Sequence, residues 1–85
     1  MLDLRYQSQP EKFLAKAAPE LAVRLLEHIR ALRQEPFPHG CKRVMGGPEK
    51  LYRIRIGDYR VLYDVDHEQR MIGIVRIEKR SHAYD

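Results

Sequence analysis

Three arginines, Arg53, Arg55 and Arg60, sit within one short segment, LYRIRIGDYRVLYDV, starting at Leu51. Guanidinium groups bind phosphate through paired N–H donors, so three of them on one surface make a cradle for a phosphate. The chain then ends on Glu78-Lys79-Arg80-Ser81-His82-Ala83-Tyr84-Asp85. Arg80, His82 and Tyr84 alternate, and in an extended segment they point the same way. Arginine there suits phosphate, histidine proton transfer and tyrosine stacking on a base. Lys50 and Lys79 add cations that suit phosphate. The bland reading is a solvated strand face followed by a polar, frayed terminus.

No other catalytic system competes. His39 lies near Cys41, but a Cys–His pair in a proline-flanked loop is weak support for a nucleophile. His28, His39, His67 and His82 show no metal-ligand spacing, so neither a metal nor another cofactor is expected. Gly46-Gly47-Pro48 is turn chemistry, not a phosphate loop, because no strand leads into it and no GK[ST] follows.

The elements that must position these groups are legible from periodicity. Leu2, Leu4 and Tyr6 alternate and predict a first strand over 2–6. Ser8 is placed to cap a helix over 9–16, with Pro10 in the first turn, where a missing N–H costs nothing. Pro19 opens a second helix through about Gln34, whose Leu21, Leu25, Ile29 and Leu32 form one apolar stripe. The short Ala17–Ala18 link implies a helical hairpin. A loop follows Pro36, with one short edge strand around 42–45.

From Leu51 the pattern is β. Strands over 51–56 and 59–65 flank Gly57-Asp58, a two-residue hairpin turn, and a third strand covers 71–78. That turn fixes the register: Arg55 faces Arg60, Ile54 faces Val61 and Tyr52 faces Tyr63. Tyr52, Ile54, Ile56, Tyr59, Val61, Tyr63 and Val65 then share the core face. Arg53, Arg55 and Arg60 share the other, with Leu51, Leu62 and Asp64. Directly opposed Arg55 and Arg60 should repel, and Asp64 sits too far along the hairpin to relieve them. The expected fold class is α+β: an N-terminal strand and a two-helix hairpin packed on one face of a small antiparallel sheet of about four strands.

Length and charge agree. A chain of 85 residues suggests a single domain spanning 1–85, able to bury roughly 64% of its unfolded surface. Residues 1–40 carry six basic and five acidic side chains, whereas residues 41–80 carry ten basic and six acidic. The positive charge therefore gathers in the β half. The lone Cys41 excludes an internal disulfide framework. With no long apolar run and no signal-like start, the expectation is a cytoplasmic protein with no membrane partner.

The segment YRIRIGDYRVLY and the terminal KRSHAY resemble the RelE toxins of the RelE/ParE toxin–antitoxin superfamily, and the element order matches across the whole chain. The resemblance implies a ribosome-dependent endoribonuclease that cleaves mRNA in the ribosomal A site. The 2′-hydroxyl attacks the adjacent phosphate, leaving a 2′,3′-cyclic phosphate and a 5′-hydroxyl. The implied partners are a RelB-like antitoxin, the 70S ribosome with its 16S rRNA, mRNA, and operator DNA through the antitoxin complex only.

By the same resemblance Arg60 takes the scissile phosphate and Arg80 the charge developing on it. Arg53 and Arg55 hold the mRNA backbone or 16S rRNA, Tyr84 stacks on a base or orients the 2′-hydroxyl, and His82 is a candidate acid or base. Two departures matter. Well-studied RelE enzymes carry lysines at the positions of Arg53 and Arg55, and arginine does not surrender a proton. YoeB-type relatives pair a histidine like His82 with a carboxylate that has no clear counterpart here, Glu49 lying near but shifted. Two alternatives stay open: a ParE-like toxin that inhibits DNA gyrase without nuclease activity, and a catalytically inactive antitoxin-binding member.

Overall fold

The computed structural model describes residues 1–47 and 50–79. Its elements run β1 (Asp3–Tyr6), α1 (Ser8–Lys16), α2 (Pro19–Ala31), β2 (Lys42–Val44), β3 (Leu51–Ile56), β4 (Tyr59–Asp66) and β5 (Met71–Lys79). The five strands form one sheet in the order β1-β5-β4-β3-β2. β1 runs parallel to β5, and the other pairs are antiparallel. The class is α+β as expected, but the sheet is mixed and has five strands where about four antiparallel ones were expected. A local alternation such as Leu2/Leu4/Tyr6 marks a strand without naming its partner, and here the partner lies at the far end of the chain.

The helices start and stop for local reasons. Ser8 is the first helical residue of α1, not its cap; Gln7 occupies that place and makes no side-chain cap bond. Pro10, still in the first turn, is buried. α2 opens at Pro19, whose fixed φ suits the first helical position. It closes three residues before Gln34, because Leu32, Arg33 and Gln34 donate to Ile29, Arg30 and Ala31 in tighter i→i−3 bonds. The chain must leave helical geometry there, as Pro36 disfavours the α region at Glu35.

One apolar cluster holds the layers together. Leu25, Ile29 and Leu32 of the α2 region meet Ile54 and Ile56 of β3, Val61 and Tyr63 of β4, and Ile72, Ile74 and Ile77 of β5. Tyr52, Tyr59 and Val65 are only partly buried against it. The β3–β4 register is the expected one: Tyr52 opposite Tyr63, Ile54 opposite Val61, Arg55 opposite Arg60. Gly57, in the turn, has φ +61°, which an L side chain rarely adopts.

Two devices fit β5 into the middle of the sheet. Its pairing with β4 slips by one residue beside Leu62/Tyr63, so Val75 and Arg76 together face Leu62. On its other side β1 ends at Tyr6, but Gln9 continues the ladder with its side chain. The Gln9 amide donates to the Ile77 carbonyl at 2.8 Å, and its oxygen accepts from the Ile77 N–H at 2.9 Å. At the opposite end the Tyr63 hydroxyl donates to the Pro36 carbonyl at 2.6 Å, tying the loop after α2 to the sheet.

Candidate functional site

The helices pack on one sheet face, and no described helix lies on the arginine face. Paired residues in a sheet point to the same side, so the registers give the layout of that face directly. One row crosses β3, β4 and β5 as Arg55, Arg60 and Glu78. The next row runs from β2 to β5 as Lys42, Arg53, Leu62 and Arg76. Rows two residues apart on a strand are separated by about 7 Å. Arg53, Arg55 and Arg60 thus form one surface with Lys42 and Arg76.

A carboxylate lies inside that surface. Glu78 accepts from Arg60 Nε at 2.6 Å through Oε1, which also lies 2.5 Å from Arg60 Nη2. Its second oxygen, Oε2, accepts from Arg76 Nε at 2.8 Å. The side chains of Arg60 and Glu78 are only 20% and 27% exposed. Burial works against the Glu78 charge, but the hydrogen bonds and positive charges of Arg76 and Arg60 outweigh it and hold the carboxyl below its ordinary value. The carboxylate that the hairpin itself does not bring to the opposed Arg55/Arg60 pair comes from Glu78 of β5, in the same row.

Asp64 serves the backbone instead. Its Oδ1 accepts from the Gly73 N–H at 3.1 Å, and a Cβ at Gly73 would come within 2.6 Å of that oxygen. The remaining candidates separate. Lys50 is exposed beside Asp64 and His67, five residues from Arg55 and so about 17 Å along the strand. Lys79 pairs with Tyr59, which places it on the helix-side face. Arg80, His82, Tyr84 and the shifted Glu49 lie outside the described residues.

The discounted groups have other settings. His28 and His39 line a cavity of about 300 Å³ with Leu32, Glu35, Ile54 and Arg55. His28 Nδ1 donates to the Arg24 carbonyl at 2.9 Å. Cys41 sits by the Tyr63 hydroxyl; burial first, and that thiol second, push the tyrosine well above its ordinary value. Among the described residues no group of three or more His, Cys, Asp or Glu could hold a metal ion. Nor is any described helix long and apolar enough to cross a membrane.

The sequence profile of the ParE toxin of the type II toxin–antitoxin system, parDE, matches residues 4–84. This chain belongs to the RelE/ParE superfamily of toxins. A curated relative, the putative toxin RelE1 of Methanocaldococcus jannaschii, is 37% identical over 76 residues, covering 86% of this chain and 83% of its own. Among solved structures, the archaeal RelE–RelB complex of Pyrococcus horikoshii matches with a TM-score of 0.82 at 30% identity, covering 96% of this chain and 98% of that one. The toxin–antitoxin complex RelBE2 of Mycobacterium tuberculosis matches with a TM-score of 0.80 at 25% identity, covering 93% and 98%. The toxin's likeness to these neighbours extends over both layers of the fold, not over the hairpin alone.

Two features of this toxin's arginine face escaped the sequence reading: Glu78 and Arg76. A signal for them is present. The apolar residues of β5 alternate at Ile72 and Ile74 and then jump to Ile77, a change of parity that marks a bulge. Shifting the register by one at that point sets Glu78, not Ile77, opposite Arg60.

Proposed function

We propose that this toxin is a ribosome-dependent mRNA interferase, a single domain over 1–85 acting in the cytoplasm and restrained by a RelB-like antitoxin. The observation that carries the reading is the sheet face that Arg53, Arg55, Arg60 and Arg76 share, together with a sequence that runs on from Lys79 into Arg80, His82 and Tyr84. The antitoxin partner is supported by the RelE–RelB and RelBE2 complexes among the structural neighbours.

In this reading Arg53 and Arg55 track the mRNA backbone or 16S rRNA, with Lys50 and Lys79 as outlying cations. Arg60 grips the scissile phosphate. The 2′-oxygen forms a bond to phosphorus as the bond to the 5′-oxygen breaks, yielding a 2′,3′-cyclic phosphate and a 5′-hydroxyl. Extra negative charge appears on the non-bridging oxygens, and Arg80 answers it. One proton leaves the 2′-hydroxyl and one reaches the departing 5′-oxygen. Arginines cannot move either proton, so the transfer falls to His82, with Tyr84 stacking on a base or orienting the attacking hydroxyl. Operator DNA is met only through the antitoxin complex, and no metal or other cofactor takes part.

The test is primer extension on mRNA in programmed ribosomes with purified toxin. A ribosome-dependent A-site cut is expected, and the Arg60→Ala/Arg80→Ala double variant should not cut. Cleavage surviving in that double variant would sink the assignment. The profile's ParE description favours a second reading, inhibition of DNA gyrase without nuclease activity. Supercoiling that fails while translation continues after induction would select it.

A further inference from the structure

We propose that Glu78 is a positioning residue for Arg60, one that improves the aim of the phosphate-binding guanidinium while weakening the hold on RNA. The inference rests on the nuclease reading above and adds a residue to it. An arginine guanidinium sits on a long, flexible stem, so the groups it bonds set the plane it holds. Glu78 Oε1 takes the Nε edge of Arg60 at 2.6 Å and fixes that plane. The carboxylate is itself clamped, because Oε2 accepts from Arg76 Nε at 2.8 Å. A phosphate arriving at the face therefore meets an oriented Arg60, not a mobile one.

The fold departs from regular pairing to make this contact. Without the slip beside Leu62/Tyr63, Ile77 would stand opposite Arg60 and the carboxylate would face the core. With it, Ile77 is fully buried and Glu78 shares the row with Arg55 and Arg60. The same placement has a cost in affinity. Arg60 and Arg76 together bring two positive charges, and Glu78 cancels one of them where the RNA backbone would run.

Orientation and attraction thus pull in opposite directions, which makes the inference testable. Glu78→Gln keeps the side-chain shape and removes the charge. Expected for the variant are RNA-oligonucleotide binding tightened by about threefold at low salt and a steeper salt dependence, by about 0.7 in the log–log slope. On programmed ribosomes kcat should fall by about tenfold or more while KM also falls. The Arg60 Nε–H resonance should move in Glu78→Gln, and Glu78→Ala should show the same changes more strongly. Thermal melts of each variant confirm that the fold is kept.

Unchanged or increased kcat in Glu78→Gln would overturn the inference, since the carboxylate would then be a counter-charge only. Should wild-type toxin fail to cut on ribosomes, the nuclease reading fails by itself. The inference about Glu78 would then be decided by the Arg60 resonance and the RNA affinity. If neither moves, it is wrong.

Discussion

Tyr63 shows how one side chain can serve core and loop together. Its ring is fully buried, and its hydroxyl donates to Pro36 O at 2.6 Å, so its polar tip has a partner where burial would otherwise be costly. Tyr63→Phe should cost about 1 kcal/mol in chemical denaturation. The pH dependence has a definite sign. The folded pKa is raised above the ordinary 10.0, so the folded state keeps a proton that the unfolded chain loses. That contribution is intact below pH 10 and declines as pH rises beyond it, and Tyr63→Phe should lose this part of the alkaline decline. An identical alkaline profile in the variant would show that Tyr63 ionises without unfolding. Glu78 has the opposite sign. Its folded pKa lies below 4.5, so its stabilisation holds above that pH and fades as pH falls further. Glu78→Gln should flatten the acid limb of the melting-temperature curve relative to wild type.

At the scale of elements, the edge where β1 meets β5 is the joint to test. Gln9 lends its amide to the Ile77 backbone where β1 has already ended, closing two bonds that a strand residue would otherwise make. Gln9→Ala should leave both Ile77 groups without that partner, cost about 1–3 kcal/mol, and speed hydrogen exchange at the Ile77 amide above all others in β5. Protection at Ile77 unchanged in the variant would mean that water or another group replaces the amide without loss. The turn of β3–β4 is more local: Gly57→Ala should destabilise by about 1–2 kcal/mol, because φ +61° suits glycine. The difference between these two sites also explains what could be read ahead of the structure. Gly57-Asp58 lies between its two strands, so turn chemistry alone fixed the register and put Arg53, Arg55 and Arg60 on one face. β1 and β5 are joined by no turn at all, and parallel pairing between chain ends has no local signature. The Ser8 cap failed because α1 begins one residue earlier, with Gln7 extended ahead of it. Glu78 was missed because a bulge, visible only as the broken parity of Ile72, Ile74 and Ile77, decides which side of β5 meets Arg60.

At the scale of the whole molecule, covering one sheet face with helices separates two kinds of surface. The core takes the apolar stripe of α2, and the arginines are left on the face that no described helix covers. Charge on that face, not the chain's net +4, should then set RNA binding. Each cation that replaces a condensed counterion on single-stranded RNA contributes about 0.7 to the slope of log affinity against log salt. Arg53, in the row with Lys42 and Arg76, should carry such a share, and Arg53→Ala should weaken oligonucleotide binding and flatten the slope by about that amount. Lys12 is an exposed cation on α1, beside Phe13 and Tyr59 on the helix side. Lys12→Ala removes the same unit of charge and should leave both affinity and slope nearly unchanged. Equal losses in the two variants would mean that RNA is attracted by net charge without regard to face. The arginine surface would then have no claim to be the binding site.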